Sequence, residues 1–494
     1  MQYTTTRGAE NVRSAQAITR GIAADGGLFV PRFFPVIDDA TMKKLIDADY
    51  VSRAKTVLAY YLTDFTAEEI GRCVERAYTG TFERDEPAPL VEVRKKTHFL
   101  ELWHGPSCAF KDLALQLLPE LLATASGKVS PGKTNVILVA TSGDTGKAAL
   151  DGFSDVPGTK IIVFYPRDGV SEMQKLQMTT QRGNNVAVCG IAGNFDHAQS
   201  GVKAIFSDDA MRRFLADRNF GFSSANSINF GRLVPQIVYY VSAYCDLVRA
   251  GKLRFGESFN VAVPTGNFGD ILAAFYAGRM GVPVKKFICA SNRNAVLSDF
   301  ISSGVYDRNR AFHTTISPSM DILVSSNLER LLYTLSGDDA SEVDRCMREL
   351  KENGRYQISA VMLEKLQTLF YGGSCDDDAT RRVIGKLFSE FRYLADPHTA
   401  VAAGVLEKYR AETGDDTLCV VVSTASPYKF AQAVLPAVGV AKIPHDPFES
   451  MELLSATTGT VIPAPLRSLK GREILHRDFV EPDGMAEFVR KVLA

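Results

Sequence analysis

One lysine in the stretch GPSCAFKDLALQ (residues 105–116), Lys111, stands between a Pro-Ser turn and an apolar helical run. A lysine on a helix flank keeps its ammonium in water, whereas one that the pattern buries needs a counter-charge or a chemical task. Three polar loops elsewhere have chemistry that could meet it. In TSGDTGKAAL (141–150) the glycines permit a sharp turn, successive amides at a helix start make an anion seat, and the hydroxyls of Ser142 and Thr145 add donors. In PTGNFGDIL (264–272), Gly266 and Gly269 flank Asn267 and Phe268, so amides can converge on a phosphate where a helix begins near Asp270. STASPYKF (423–430) offers hydroxyls to a heteroatom. Each loop taken singly reads equally well as a turn or a helix cap. Together they make a set: one buried amine, two anion seats and one hydroxyl shelf.

Each of these loops follows a short apolar run: NVILVA (135–140), FNVAVP (259–264) and TLCVVVS (417–423), with KIIVFY (160–165), NVAVC (185–189) and KFICA (286–290) of the same kind. Strands covered on both faces are nearly all apolar, and helix-like segments separate these runs, so the pattern predicts parallel α/β layers with ligands at the carboxyl ends of the strands. Residues 1–95 read as a separate helical unit, 96–440 as the core, with a sub-lobe over about 133–255, and 441–494 as a C-terminal extension. Segment 305–395 is charge-rich, with helix-like pieces SEVDRCMRELKENG and ISAVMLEKLQTLFYGG, and reads as a helical insertion. The acidic run CDDD (375–378) reads as a solvated loop. In GNFDHAQSG (193–201), Asp196 and His197 read as helix caps, and in DPHTAVAAG (396–404), His398 reads as a cap, a packed histidine or a substrate-side group.

Several function classes drop out. A Walker A loop requires glycine where Thr141 stands and a hydroxyl where Ala148 stands, and the dinucleotide-binding GxGxxG occurs at none of the three loops. With 56 Lys and Arg against 57 Asp and Glu, no general basic excess exists to bind nucleic acid. The eight cysteines form no CxxC pair, so neither a zinc site nor a disulfide framework is expected. No apolar run could span a bilayer, and the first residues, with Glu10, show no secretory signal, so a cytoplasmic protein is expected.

The residues then match a known pattern. HGPSCAFKD (104–112) resembles the pyridoxal-phosphate lysine site of threonine synthases, and ATSGDTGKAA, SANSINFGRL, VPTGNFGD and DPHTAVA fall in that family's order. YTTTRG and GIAADGGLFVP look like its amino-terminal domain, and the resemblance runs from about residue 3 to about residue 440. It implies a fold-type II pyridoxal-phosphate enzyme (tryptophan synthase beta-like), plus an N-terminal helical domain, acting on O-phospho-L-homoserine and water to give L-threonine and phosphate. On that resemblance Lys111 carries the cofactor. Gly266, Asn267, Phe268, Gly269 and Asp270 hold its phosphate, and Thr424 faces the pyridine nitrogen. Ser142, Gly143, Asp144 and Thr145 take the substrate carboxylate, while Asn226, Ser227, Asn229 and Arg232 stand near substrate or cofactor. No metal is expected, and monomer and homodimer stay equally open. The alternatives are another fold-type II lyase, such as a dehydratase or an amino-acid phospho-lyase, and a catalytically inactive metabolite-binding relative. The chemistry fits the residue types, because a lysine can bond an aldehyde carbon only as the neutral amine, which an apolar setting favours.

Overall fold

β-Branched runs closed off by glycine and proline become strands wherever helices can cover both faces. The computed structural model of this chain describes residues 1–141, 143–167 and 170–494. In chain order the strands are β1 (Tyr3–Thr5), β2 (Phe29–Pro31), β3 (Leu90–Arg94), β4 (Thr97–Glu101), β5 (Thr134–Ala140), β6 (Thr159–Pro166), β7 (Val186–Ile191) and β8 (Phe220–Ser223). They continue with β9 (Phe259–Pro264), β10 (Val284–Ser291), β11 (Val305–Asp307), β12 (Arg355–Gln357), β13 (Phe370–Ser374), β14 (Cys419–Ser423) and β15 (Asp478–Val480). The larger sheet has the order β13-β10-β9-β14-β4-β3, parallel throughout except where β3 pairs antiparallel with β4. The smaller, β15-β7-β6-β5-β8, is wholly parallel. All six apolar runs become strands of these two sheets.

Packing crosses the boundaries read from the sequence. The N-terminal residues share a core with the rest of the chain: Tyr3, Tyr61 and Phe230 pack in one continuous core that extends to Val422. The fully buried Arg53 donates to Ser242 Oγ at 2.6 Å and to Asp246 Oδ1 at 2.7 Å on the helix Phe230–Arg249. A cut at residue 95 would also split the β3–β4 pair. In 305–395, helix Ala360–Leu369 stops before the predicted piece does, and FYGGS becomes β13, the edge strand beside β10. Phe370 stacks there on Phe287 (centroids 5.1 Å apart), while Gly372 and Gly373 lower the strand signal. Residues beyond 440 are not an appendage. Met451, Leu454 and Leu466 pack against Tyr428 and Val434, while β15 and the helix Met485–Leu493 complete the smaller sheet and its cover.

Local caps account for two runs that could have looked chemical. Asp376 caps the helix Asp377–Phe391, using one carboxylate of CDDD. Asn194 caps the helix Phe195–Ser207, with His197 closing the box; the side chain of Asp196 lies outside the described residues. Among the described residues no helix is long and apolar enough to cross a membrane.

Candidate active site

The lysine loop is tied down from both sides. Lys111 opens the short helix Lys111–Leu115, preceded by Cys108 in the left-handed region (φ 55°). Asp112 Oδ2 accepts from the Ser107 amide at 2.9 Å, and burial pushes its carboxyl up to about 6. The Phe110 amide donates to the Thr424 carbonyl at 2.8 Å and the Ser426 amide to Cys108 at 3.1 Å. The amine-bearing loop and the hydroxyl loop after β14 are therefore hydrogen-bonded to each other.

Asp144 sits between two lysines. Its Oδ2 lies 3.7 Å from Lys111 Nζ, while its Oδ1 lies 2.6 Å from Lys429 Nζ and accepts from Gln174 Nε2 at 2.9 Å. Lys429, whose side chain is 0% exposed, also donates to the Ser107 carbonyl at 2.8 Å. Burial alone would raise the Asp144 carboxyl, but Lys429 and then Lys111 outweigh it and hold it well below the usual carboxylate range. The Lys111 side chain is 11% exposed, with Nζ 4.7 Å from the Phe110 ring centroid. Burial lowers its pKa, Asp144 opposes, and Lys429 and Arg232 push it further down. The expected setting for a neutral amine is present.

In the 142–145 loop, expected to take a substrate carboxylate, Asp144 itself lies against two lysine side chains. The amides of Gly143 and Gly146 are taken by Thr141 Oγ1 at 3.0 and 2.9 Å, so they are not free donors. Gly143 keeps its place through conformation: φ is +136°, and a Cβ would collide with the Gln174 side chain. Thr145 remains half-buried, and Ser142 lies outside the described residues.

The 266–270 loop, in contrast, leaves its amides open. The helix Gly269–Arg279 begins after Phe268, in the left-handed region (φ 63°), with no side-chain cap on its first turn. Ser325 Oγ donates to the Gly266 carbonyl at 2.8 Å, and the Asn327 amide and side chain both donate to the Asn267 carbonyl at 3.1 Å. With the carbonyls held elsewhere, the uncapped N-terminus is a ready phosphate seat. A Cβ on Gly266 would stand 2.8 Å from the Ser319 carbonyl, so the close approach requires glycine. The Phe268 ring points into the core against Phe370, and Asn267 is exposed, so their contribution to a ligand is backbone.

Asp270 is buried beneath this turn. Tyr239 and Tyr240 hydroxyls donate to Oδ1 at 2.5 and 2.6 Å, Oδ2 has no partner among the described residues, and burial pushes the carboxyl up to about 6. Arg232, from the first turn of helix Phe230–Arg249, donates to the Ala225 carbonyl at 2.6 Å but leaves Nε unpartnered, and burial lowers its pKa to about 10. Buried polar atoms without partners in a charged pocket are what a bound polar ligand satisfies. Ser227 is half-buried, its Cβ 3.8 Å from where a Cβ on Gly269 would lie, and Asn226 is half-buried nearby in sequence. Asn229 does not belong with them. It is 0% exposed, its amide donates to the Ile18 and Ser224 carbonyls, and its oxygen caps Gly231.

His398 resolves as a positioning residue. Its Nδ1 lies 2.7 Å from Asp396 Oδ1, and its Nε2 accepts from the Ser319 amide at 3.1 Å. That pair of contacts selects the neutral tautomer with the proton on Nδ1 and fixes the Ser319 backbone against Gly266. Lys429, Gln174, Ser319 and Asn327 escape sequence reasoning, because each acts through a partner far along the chain. Arg330 also does: fully buried, it donates to the Phe29 carbonyl at 3.0 Å and the Ile228 carbonyl at 2.6 Å, fastening the N-terminal strands to the 226–229 segment. The one available signal is for Lys429, the one charged residue in the mostly apolar run PYKFAQAVL.

Three family models match: Threonine synthase N terminus over residues 2–78, Pyridoxal-phosphate dependent enzyme over 84–424, and Threonine synthase, C-terminal over 399–473. The chain is similar to a threonine synthase of Saccharomyces cerevisiae, 36% identical over 461 residues, covering 87% of this chain and 88% of the yeast protein. It is also 41% identical over 454 residues to the human protein Threonine synthase-like 1, covering 90% of this chain but only 60% of that relative's length. Among solved structures, a PLP-bound threonine synthase from Brucella melitensis superposes with a TM-score of 0.88 at 36% identity, covering 100% of this chain and 99% of that one.

Proposed function

We propose, because this chain belongs to the threonine synthase family of fold-type II pyridoxal-phosphate enzymes, that it converts O-phospho-L-homoserine and water to L-threonine and phosphate. The observation that carries the reading is a chain of contacts around the buried amine of Lys111: Asp144 lies 3.7 Å from it, Ser319 joins Asp144 to the 266–270 turn, and the Phe110 amide joins the lysine loop to Thr424.

The residues fit the cofactor. The amides after Phe268 would hold its phosphate, Lys111 its aldehyde carbon and the Thr424 hydroxyl its ring nitrogen. Unpartnered Asp270 Oδ2 and Arg232 Nε are the polar atoms a ligand would satisfy. Once bound, pyridoxal phosphate supplies an electron sink for negative charge developing at the substrate α-carbon.

The chain's own groups do the rest. Lys111, released as a neutral amine, takes the α-proton, and the same lysine or the leaving phosphate takes the β-proton lost as phosphate departs from the γ-carbon. Lys429 neutralises Asp144, so that Asp144 orients Lys111 without holding it as an ammonium. Arg232 offers its free Nε to an anionic group of the substrate, and the half-buried Thr145, Asn226 and Ser227 are the further donors proposed for it. Water then adds at the β-carbon. A neutral hydroxyl at Thr424 does not keep the ring nitrogen protonated, so donors around the substrate carboxylate carry more of the charge stabilisation.

The near-balanced charge of the chain supports a small-molecule substrate rather than a nucleic acid. Release of phosphate and threonine from O-phospho-L-homoserine, abolished by Lys111→Ala, is the test. Ammonia and a keto acid from serine or threonine, without phosphohomoserine turnover, would assign a dehydratase instead.

A further inference from the structure

The segment carrying Thr424 and Lys429 has a second face. Behind it lies a cavity of about 450 Å3, lined by residues of the lysine loop, of the stretch before Asp396, of Ser426–Tyr428 and of the C-terminal segment 460–467. None of the groups that approach Lys111 lines it, so it is separate from the site described above.

Its charges are unbalanced. Arg84, Arg392 and Arg467 all line it, and among the described residues no carboxylate or carbonyl occupies their guanidinium groups. Of the acidic groups, Glu101 Oε2 is engaged by His104 Nε2 at 2.8 Å, while Glu83 Oε2 stands 3.5 Å from His104 Nδ1 without a hydrogen bond, leaving one free carboxylate against three guanidinium groups. That buried Nδ1 has no hydrogen-bond partner. The walls are flat and apolar. The Trp103 ring stacks on His104 (centroids 4.1 Å apart, planes at 29°), with its Nε1 donating to Ser423 Oγ at 3.1 Å, which fixes its plane. Val461, Ile462 and Pro463 line the cavity from the C-terminal segment.

A concave, partly apolar space of this size takes a small molecule, and guanidinium forks recognise carboxylate or phosphate. We propose that this cavity is a second ligand site, for a small organic anion with a flat or apolar body. Arg392 and Arg467 hold its carboxylate or phosphate, and Trp103 and the Val461–Pro463 wall take its body. The site does not depend on the reaction assigned to Lys111.

Trp103 is the only tryptophan of the chain, so its emission reports occupancy directly. The holoenzyme, with cofactor filling the 266–270 seat, is titrated with phenyl phosphate and, separately, with inorganic phosphate. Phenyl phosphate gives a saturable change in Trp103 emission, weakened more than about ten-fold in Arg392→Gln/Arg467→Gln, since two charge-assisted contacts are lost. Both arginines are exposed, so the variant keeps its far-ultraviolet circular dichroism. No saturable change at millimolar phenyl phosphate, or equal binding by the variant, overturns the site. An equally strong response to inorganic phosphate overturns the apolar body as part of what is recognised. The readout is fluorescence, so failure here and failure of the phosphohomoserine assay are distinguishable.

Discussion

Replacing Lys429 with methionine keeps the length of the side chain and deletes its charge, and the geometry fixes the effect on Lys111. The two amine nitrogens lie 2.6 and 3.7 Å from opposite oxygens of Asp144. They are therefore within about 9 Å of each other, where like charges repel by roughly 2 kcal/mol at an effective dielectric near 20. In Lys429→Met that repulsion is gone and Asp144 has Lys111 as its nearest cation. Lys111 then holds its proton more tightly, and its neutral fraction at neutral pH falls about twenty-fold. The assay is the rate at which pyridoxal phosphate attaches to Lys111 in cofactor-free protein across a pH series, fixed with borohydride and read as added mass on the peptide bearing residue 111. The midpoint of that profile moves upward by about one pH unit or more. Adding Asp144→Asn to Lys429→Met removes the anion as well and returns the midpoint toward its original position. A Lys429→Met profile with an unmoved midpoint refutes the reasoning, because it would mean that the Lys429–Asp144 pair does not act on the amine.

Gly266→Ala places a methyl 2.8 Å from the Ser319 carbonyl, and equilibrium dialysis should show cofactor affinity falling by more than about ten-fold while the melting temperature drops only a few degrees. His398→Phe leaves the Ser319 amide without its acceptor, and cofactor binding should weaken about ten-fold, a cost of roughly 1–2 kcal/mol for an unpaired buried donor. Asp270 is held at about 6 by burial, above the ordinary aspartate range. Its protonated form is therefore favoured by folding, and stability is lost as pH rises from about 4 through about 6. Asp270→Asn should accordingly raise the stability of the cofactor-free protein by up to roughly 3 kcal/mol above that window and by nothing below it. Denaturant titrations at pH values on either side of the window check the sign, and an equal effect at both refutes it.

The elements legible in the sequence are those whose reasons are local. Runs such as NVILVA and FNVAVP announce buried parallel strands because nothing else packs that many β-branched side chains. The glycines at 266 and 269 announce a turn, and Lys111 announces itself by being in the wrong place for an ammonium. Strands β3, β8, β13 and β15 are short, charged or glycine-bearing edges, and only their neighbours make them strands. The site divides in the same way. Lys111, the 266–270 turn and Thr424 come from motifs, whereas the contact of Asp144 with Lys429 is not legible because the two are remote in sequence. Asn229 looks like a ligand-facing amide until its contacts show it spanning the Ile18 and Ser224 carbonyls.

The strand pairings also bear on how the polypeptide is made. β7 acquires its outer neighbour only from residues 478–480, and β4 acquires its parallel partner only from 419–423. Neither sheet can be finished by the first half of the chain, so during synthesis the two nuclei must wait with bare ladders until distant segments emerge. Such high-separation pairings are slow to close and expose sticky edges meanwhile. Biogenesis of this protein should therefore depend on holdase chaperones far more than the steadiness of the finished molecule suggests.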